Sequence, residues 1–369
     1  MAAKQHPMLN NNLAQQIENA RAGRPFHNYL DCRKYVLEMI EEAGKTRESQ
    51  SDYWEEELDA FKYMFDASPL IIEKLREHCY HITGLLSYEY KGDRGSHRGK
   101  KNKIKNKYNA LRQEDSIGRE VREPLLLGGY GYYMDGGLVN LDTLKYYESL
   151  IALDKSGLLN GYENKSSKRN VVLEIGAGWG GFAYQFKTFF PNTCYIIIDL
   201  PQTMLFSYTY LKSAFPEAST FIYGEKSIDE LIEDLLEYDL VFLPHHFLKE
   251  EWVSKVDLAI NMVSFQEMTT GQVDNYIRIL SEAGCKNVYS HNRDISPYNN
   301  QLSSVSEIMA KHYDVHEIKV LDVDYPQLDI PAGVKSDSIL GILKSSAKKI
   351  VGRDPNLNKP FRYKHLIGA

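Results

Sequence analysis

Apolar residues recur at helical spacing from about Asn11 to Leu86, as in Leu58, Phe61 and Phe65 or Leu70, Ile71 and Leu75, with polar residues between them. This predicts a helical region. From Asn170 onward the pattern changes to short apolar runs that alternate with amphipathic stretches. The runs are Val171–Ile175, Tyr195–Ile198, Leu240–Leu243, Leu258–Val263, Asn287–Ser290, Val315–Leu321 and Ser338–Leu343. Continuous apolar runs suit strands buried on both faces of a parallel sheet. Between them, Met204, Tyr208, Leu211 and Phe215 keep one helical face, and Ser227 to Glu230 has the form of a capping box. Helices are also expected at Gln272–Ala283, ended by Gly284, and at Ser304–Tyr313, opened by Ser304 with Glu307.

This alternation predicts a doubly wound α/β sheet of seven strands, Rossmann-like, behind a mainly helical accessory region. Thr220–Tyr223 competes with Leu240–Leu243 for the place of third strand, and Leu240–Leu243 is preferred. Asp142 is expected to cap a helix carrying Leu144, Tyr147 and Ile151. The polar stretch from Asn160 to Asn170 reads as a linker. The boundaries drawn are 1–160 for the accessory region, 161–350 for the sheet domain and 351–369 for a C-terminal tail.

Composition narrows the class only coarsely. Hydrophobic residues make up 43% of the 369 and charged residues 25%, ordinary for a globular chain with a core. The net charge of −6 gives no global attraction to nucleic acid, so no nucleic-acid partner is expected. No apolar run spans a bilayer and the first residues lack a signal peptide's apolar core, so a cytoplasmic location is expected, with a homo-oligomer left open. Cys32, Cys79, Cys194 and Cys285 are scattered, with no spacing that suits zinc, and no metal is expected.

Two local features stand out in the accessory region. Lys91 to Lys107 holds eight Lys and Arg against Asp93, and its glycines at 92, 95 and 99 argue for a loop. Such a loop suits the diphosphate of a nucleotide sugar, although a solvated loop is the plainer alternative. The stretch 125–137 mixes glycines with Tyr130, Tyr132 and Tyr133, which in a hinged lid would stack on a sugar ring. Ordinary packing is the alternative for each ring.

The main chemical signal is Val171 to Phe182, VVLEIGAGWGGF, a strand followed by a glycine turn and a helix. Gly176, Gly178 and Gly181 also satisfy the dinucleotide fingerprint, with Asp199 placed to meet a ribose. Glu174 separates the two readings. A carboxylate two residues before the first glycine would repel a pyrophosphate, whereas it complements a positively charged sulfonium amino acid.

The E-x-G-x-G-x-G pattern with an acid closing the next strand resembles the class I S-adenosylmethionine-dependent methyltransferases. LEIGAGWGG at 173–181, IDLP at 198–201 and VDLAINMVSFQEM at 256–268 resemble, more narrowly, the sugar O-methyltransferases of polysaccharide loci. The resemblance implies an S-adenosylmethionine site built from Glu174, Gly176, Ala177, Gly178, Gly180, Asp199, Leu200, Pro244 and Asn261, and an acceptor that is a sugar, nucleotide sugar or glycan.

Methyl transfer to a hydroxyl needs alignment and a base, and such groups belong at the carboxyl ends of the strands. Three positions qualify: Gln266-Glu267, His291-Asn292-Arg293-Asp294 and Pro244-His245-His246. Glu267, His291 and His245 are the candidate bases, while Gln266 and Arg293 are candidates for holding the acceptor. Glu267 capping the next helix, and His291 as plain surface, are the alternatives. Other functions left open are a small-molecule or peptide O- or N-methyltransferase, and a cofactor-binding partner without catalysis.

Overall fold

The computed structural model describes residues 12–46, 58–91, 95–163, 168–296, 299–321 and 363–369. Helices α1 (Leu13–Ala22) and α2 (Arg24–Thr46) open the accessory region, which continues through short helical turns to α3 (Gly95–Glu114). A small hairpin follows, β1 (Tyr132–Met134) with β2 (Gly137–Val139), and then α4 (Leu141–Lys155). The sheet region runs β3 (Asn170–Ile175), α5 (Gly181–Phe189), β4 (Thr193–Asp199), α6 (Pro201–Ala214), β5 (Thr220–Ile222), α7 (Ile228–Glu233), β6 (Leu240–Pro244) and β7 (Leu258–Met262). It ends with α8 (Thr270–Glu282), β8 (Val288–Arg293), α9 (Val305–Met309), β9 (Val315–Ile318) and β10 (Tyr363–Gly368).

The strand order is β5-β6-β4-β3-β7-β8-β10-β9, a doubly wound α/β sheet as the sequence predicts, with eight strands among the described residues. Leu240–Pro244 pairs with β4, while Thr220–Ile222 is the edge strand beyond it, so both competing segments have a place. β10 runs antiparallel between β8 and β9. The expected tail at 351–369 therefore includes a sheet strand, and the strand expected at 338–343 lies outside the described residues.

Alternation along the strands divides the core in two. Val171, Leu173 and Ile175 face one side with Ile196, Val241 and Ala259. Val172, Tyr195, Ile197, Phe242 and Ile260 face the other, and there they join Val36, Phe61, Leu75, Leu111 and Leu150 in one continuous cluster. The accessory region is thus the cover of one sheet face, sharing its core with the sheet region. α2 lies along α6, tied by the Cys32 thiol on the Met204 carbonyl at 3.4 Å and Asn28 on Ser213 at 3.1 Å. All four cysteines are free and buried. Among the described residues, no helix is long and apolar enough to cross a membrane.

Three local expectations fail for identifiable reasons. Residues 95–107, expected as loop, are the first part of α3, because Ile104, Tyr108 and Leu111 at helical spacing anchor it in the core. Its lysines find acids, Lys100 pairing with Glu89 and Lys107 with Glu148 at 2.7 Å. Asn140, not Asp142, caps α4 through the Thr143 N–H. The expected lid at 125–137 is packed: a Cβ on Gly129 would lie 1.9 Å from the Pro124 carbonyl oxygen.

Candidate functional site

Glu174 lies on the strand face that meets the accessory region, so its carboxylate is enclosed, with 2% of the residue exposed. Its Oε2 accepts a hydrogen bond from the Tyr195 hydroxyl at 2.9 Å, one strand away. Burial raises its pKa to about 8, and the neighbouring Asp199 adds to the effect. A buried acid of this kind is stabilised as an ion by any cation that reaches it.

The turn after β3 is fixed at both ends. The Gly176 N–H donates to the Ile198 carbonyl at 2.7 Å, and the Gly178 N–H to Asp199 Oδ2 at 2.7 Å. Asp199 Oδ1 accepts from the Leu200 N–H at 2.7 Å, and burial raises this carboxyl to about 6. Thr203 adds a side-chain hydrogen bond to this carboxylate, which leaves one of its roughly four lone-pair sites for a hydroxyl donor. Gly176 has φ 73°, and a Cβ there would stand 2.0 Å from Ser264 Oγ. A Cβ on Gly178 would stand 2.9 Å from Ile82 Cγ2, which makes the turn a cradle under the accessory region.

A cavity of about 480 Å³ opens over this turn. Glu174, Gly176, Ala177, Gly178, Asp199, Leu200, His245, Gln266, Glu267 and Arg293 all line it, bringing together most of the residues singled out from the sequence. The accessory region closes the other side with Ile82, Leu85, Tyr88, Lys100, Asp142, Lys145 and Tyr146. His245 is held neutral, its pKa lowered to about 4 by burial and by His246 beside it. Gln266 is buried and its Oε1 accepts from the Arg293 N–H at 3.0 Å, which joins the ends of β7 and β8. Val263, also lining the cavity, has φ 57°, a conformation rare for a β-branched residue, and its N–H donates to the His291 carbonyl at 2.8 Å.

Other expected site residues stand elsewhere. Gly180 sits at the start of α5 against Leu211, and Pro244 ends β6 without reaching the cavity lining. Asn261 is buried as a brace, donating to the Ile175 carbonyl at 2.7 Å and accepting from the Phe265 N–H at 3.0 Å. His291 is fully buried and does not line the cavity; its Nδ1 meets Ser149 Oγ at 2.9 Å. The tyrosine lid is absent from the lining. Tyr130 and Tyr132 are buried with their hydroxyls on the Leu85 and Glu89 carbonyls, and exposed Tyr133 lies outside the cavity. Thr269, not Glu267, caps α8.

Arg76 carries no local pattern that marks it in the sequence. It is fully buried, donating to Glu123 at 2.8 Å and Asp142 at 2.6 Å, with its guanidinium over the Trp179 ring of the glycine turn. Tyr88, Lys145, Tyr146 and Tyr363 in the lining were also missed.

No family model matches the chain, and the search of curated proteins finds no match. Solved structures are similar at low identity. A Haemonchus contortus phosphoethanolamine N-methyltransferase 2 bound to phosphomonomethylethanolamine and S-adenosylhomocysteine is 12% identical, with 60% of this chain covered and a TM-score of 0.32. The match spans about half of that protein, 51%. A geranyl diphosphate methyltransferase bound to S-adenosylmethionine is 10% identical over 62% of this chain and 85% of its own, with a TM-score of 0.36. The methyltransferase domain of bacterial CtHen1-CN is 12% identical over 62% of this chain and 100% of its own, with a TM-score of 0.31.

Proposed function

We propose that the protein is an S-adenosylmethionine-dependent O-methyltransferase that methylates a sugar hydroxyl of a glycan or nucleotide sugar in polysaccharide biosynthesis. The observation that carries the cofactor half is Glu174, a buried acid facing a cavity beside a glycine turn clamped to Asp199. A pyrophosphate would meet an enclosed acid there, whereas the ammonium end of a methionine moiety would relieve its burial.

The residues fit that cofactor. Gly176 and Gly178, packed too closely on Ser264 and Ile82 for any side chain, present bare backbone to the cavity, Asp199 offers a lone pair to a ribose hydroxyl, and Leu200 and His245 line the same side, at the ends of β4 and β6. When bound, the cofactor supplies an electrophilic methyl group on a sulfonium. On the other side of β3, Gln266 and Glu267 follow β7, at the point where the strand order reverses and ligands settle in open α/β sheets. Glu267 is assigned as the base that takes the acceptor's proton as the oxygen is methylated, with Arg293 and Gln266 orienting the acceptor. The sugar is supported by the resemblance at 256–268 and by the polar, tyrosine-bearing wall formed by Tyr88 and Tyr363.

Isothermal titration with S-adenosylhomocysteine tests the cofactor half. Binding that Glu174→Ala and Asp199→Ala weaken greatly supports the assignment, while binding of NAD in its place overturns it.

A further inference from the structure

Three residues outside the cavity lining meet in the core. Glu148 of α4, His291 of β8 and His365 of β10 are all buried, at 3%, 0% and 5% exposure. One potential ligand atom from each lies within 4.8 Å of the other two. His291 and His365 are directly opposed across the antiparallel pair of β8 and β10, which puts both rings on one sheet face. The ring centres are 4.1 Å apart, and Glu148 comes down on them from the accessory region. His365 Nε2 is 3.4 Å from Glu148 Oε1. Ligands held at 2.0–2.1 Å around a tetrahedral ion stand about 3.3 Å apart, so the His365–Glu148 spacing suits a shared metal, with His291 brought within reach by a small ring movement.

Each imidazole is also oriented through its other nitrogen. His291 Nδ1 meets Ser149 Oγ at 2.9 Å, and His365 Nδ1 meets the Tyr289 hydroxyl at 2.7 Å. Outer hydrogen bonds of this kind fix the ring and the tautomer of metal-bound histidines.

We propose that Glu148, His291 and His365 bind a divalent transition-metal ion of the zinc class through two imidazole nitrogens and one carboxylate oxygen. Lys107 Nζ lies 2.7 Å from Glu148 Oε2, the oxygen turned away from His365, so ammonium and metal ion can share one carboxylate. The ion would join the accessory helix α4 to the C-terminal strand β10, and the site is independent of the reaction proposed above. Lys107 alone neutralising Glu148, with the histidines in an ordinary buried network, is the competing account.

The test uses the full chain, stripped with EDTA, dialysed and titrated with zinc and then cobalt(II), with bound metal counted by mass spectrometry. The proposal predicts one tightly held equivalent per chain, visible cobalt absorption bands and a raised melting temperature. Glu148→Gln, made alone and with Lys107→Met to keep the charge balanced, should lose that equivalent while circular dichroism shows the fold retained. No bound equivalent, or an undiminished one in the folded variants, overturns the proposal. Should the variants fail to fold, the wild-type chain decides, since zinc must shift the imidazole resonances of His291 and His365; unchanged resonances overturn it.

Discussion

The guanidinium carbon of Arg76 lies 3.9 Å from the centre of the Trp179 indole, so a buried charge from the accessory region rests on the glycine turn of the sheet. Glu123 and Asp142 accept hydrogen bonds from the edge of that guanidinium. Breaking a buried pair strands its partners, at a cost of about 3–5 kcal/mol. Arg76→Met should lower stability by that order in urea unfolding and weaken S-adenosylhomocysteine binding, because both carboxylates lose their cation. Trp179→Phe retains an aromatic face and should cost much less, as a cation–π contact contributes about 2 kcal/mol when desolvated.

Glu174 should make both stability and cofactor binding depend on pH. Its pKa is about 8 in the folded chain against 4.5 for the ordinary carboxyl, so the folded state keeps a proton that the unfolded state has lost. The stability from that proton is complete below about pH 4.5 and is lost as pH rises towards 8. An arriving ammonium favours the ionised form, so binding at pH 6.5 should release close to one proton. Calorimetry in two buffers of different ionisation enthalpy measures the release, and Glu174→Gln should abolish it.

Glu267 and His245 should separate kinetically. As a base acting on the acceptor, Glu267 is worth about 10²–10⁴-fold in kcat, so Glu267→Gln should lose that much with S-adenosylhomocysteine affinity unchanged. His245 lines the cavity at the end of β6, beside the proposed cofactor site, and His245→Ala should weaken cofactor binding more than turnover. Equal effects on both quantities in both variants would contradict this division.

Gly176 should tolerate no side chain. Gly176→Ala puts a Cβ 2.0 Å from Ser264 Oγ at a positive φ, so the turn must move. Cofactor affinity should fall at least about tenfold, the effect of a 1.4 kcal/mol penalty. Gly271→Ala, whose Cβ would meet nothing within 4 Å, is the control and should bind normally.

Much of this arrangement was legible because local signals agreed. Apolar runs marked the parallel strands, Ser227 with Glu230 and Ser304 with Glu307 marked helix starts, and Glu174 beside its glycines marked one wall of the cavity. What sequence concealed depends on long-range contact. α3 carries glycines and a basic run that argue against a buried helix, and its helical form rests on Ile104, Tyr108 and Leu111 meeting a core built elsewhere. Tyr130 and Tyr132 read as a mobile lid until their hydroxyls are seen on the Leu85 and Glu89 carbonyls. His291 has a strand-end position suited to a base, but strand alternation turns it towards Ser149 and His365, whose positions 142 residues before and 74 after it no local pattern reveals.

Methyl transfer from S-adenosylmethionine to a sugar oxygen is what we propose for this cavity. The direct measurement follows a carbon-13 methyl label from the donor over a panel of nucleotide sugars and glycans. The expected result is release of S-adenosylhomocysteine and a new O-methyl resonance on one sugar acceptor, lost in Glu267→Gln. A chain that binds the donor but transfers label to no sugar, or places it on nitrogen, would contradict it.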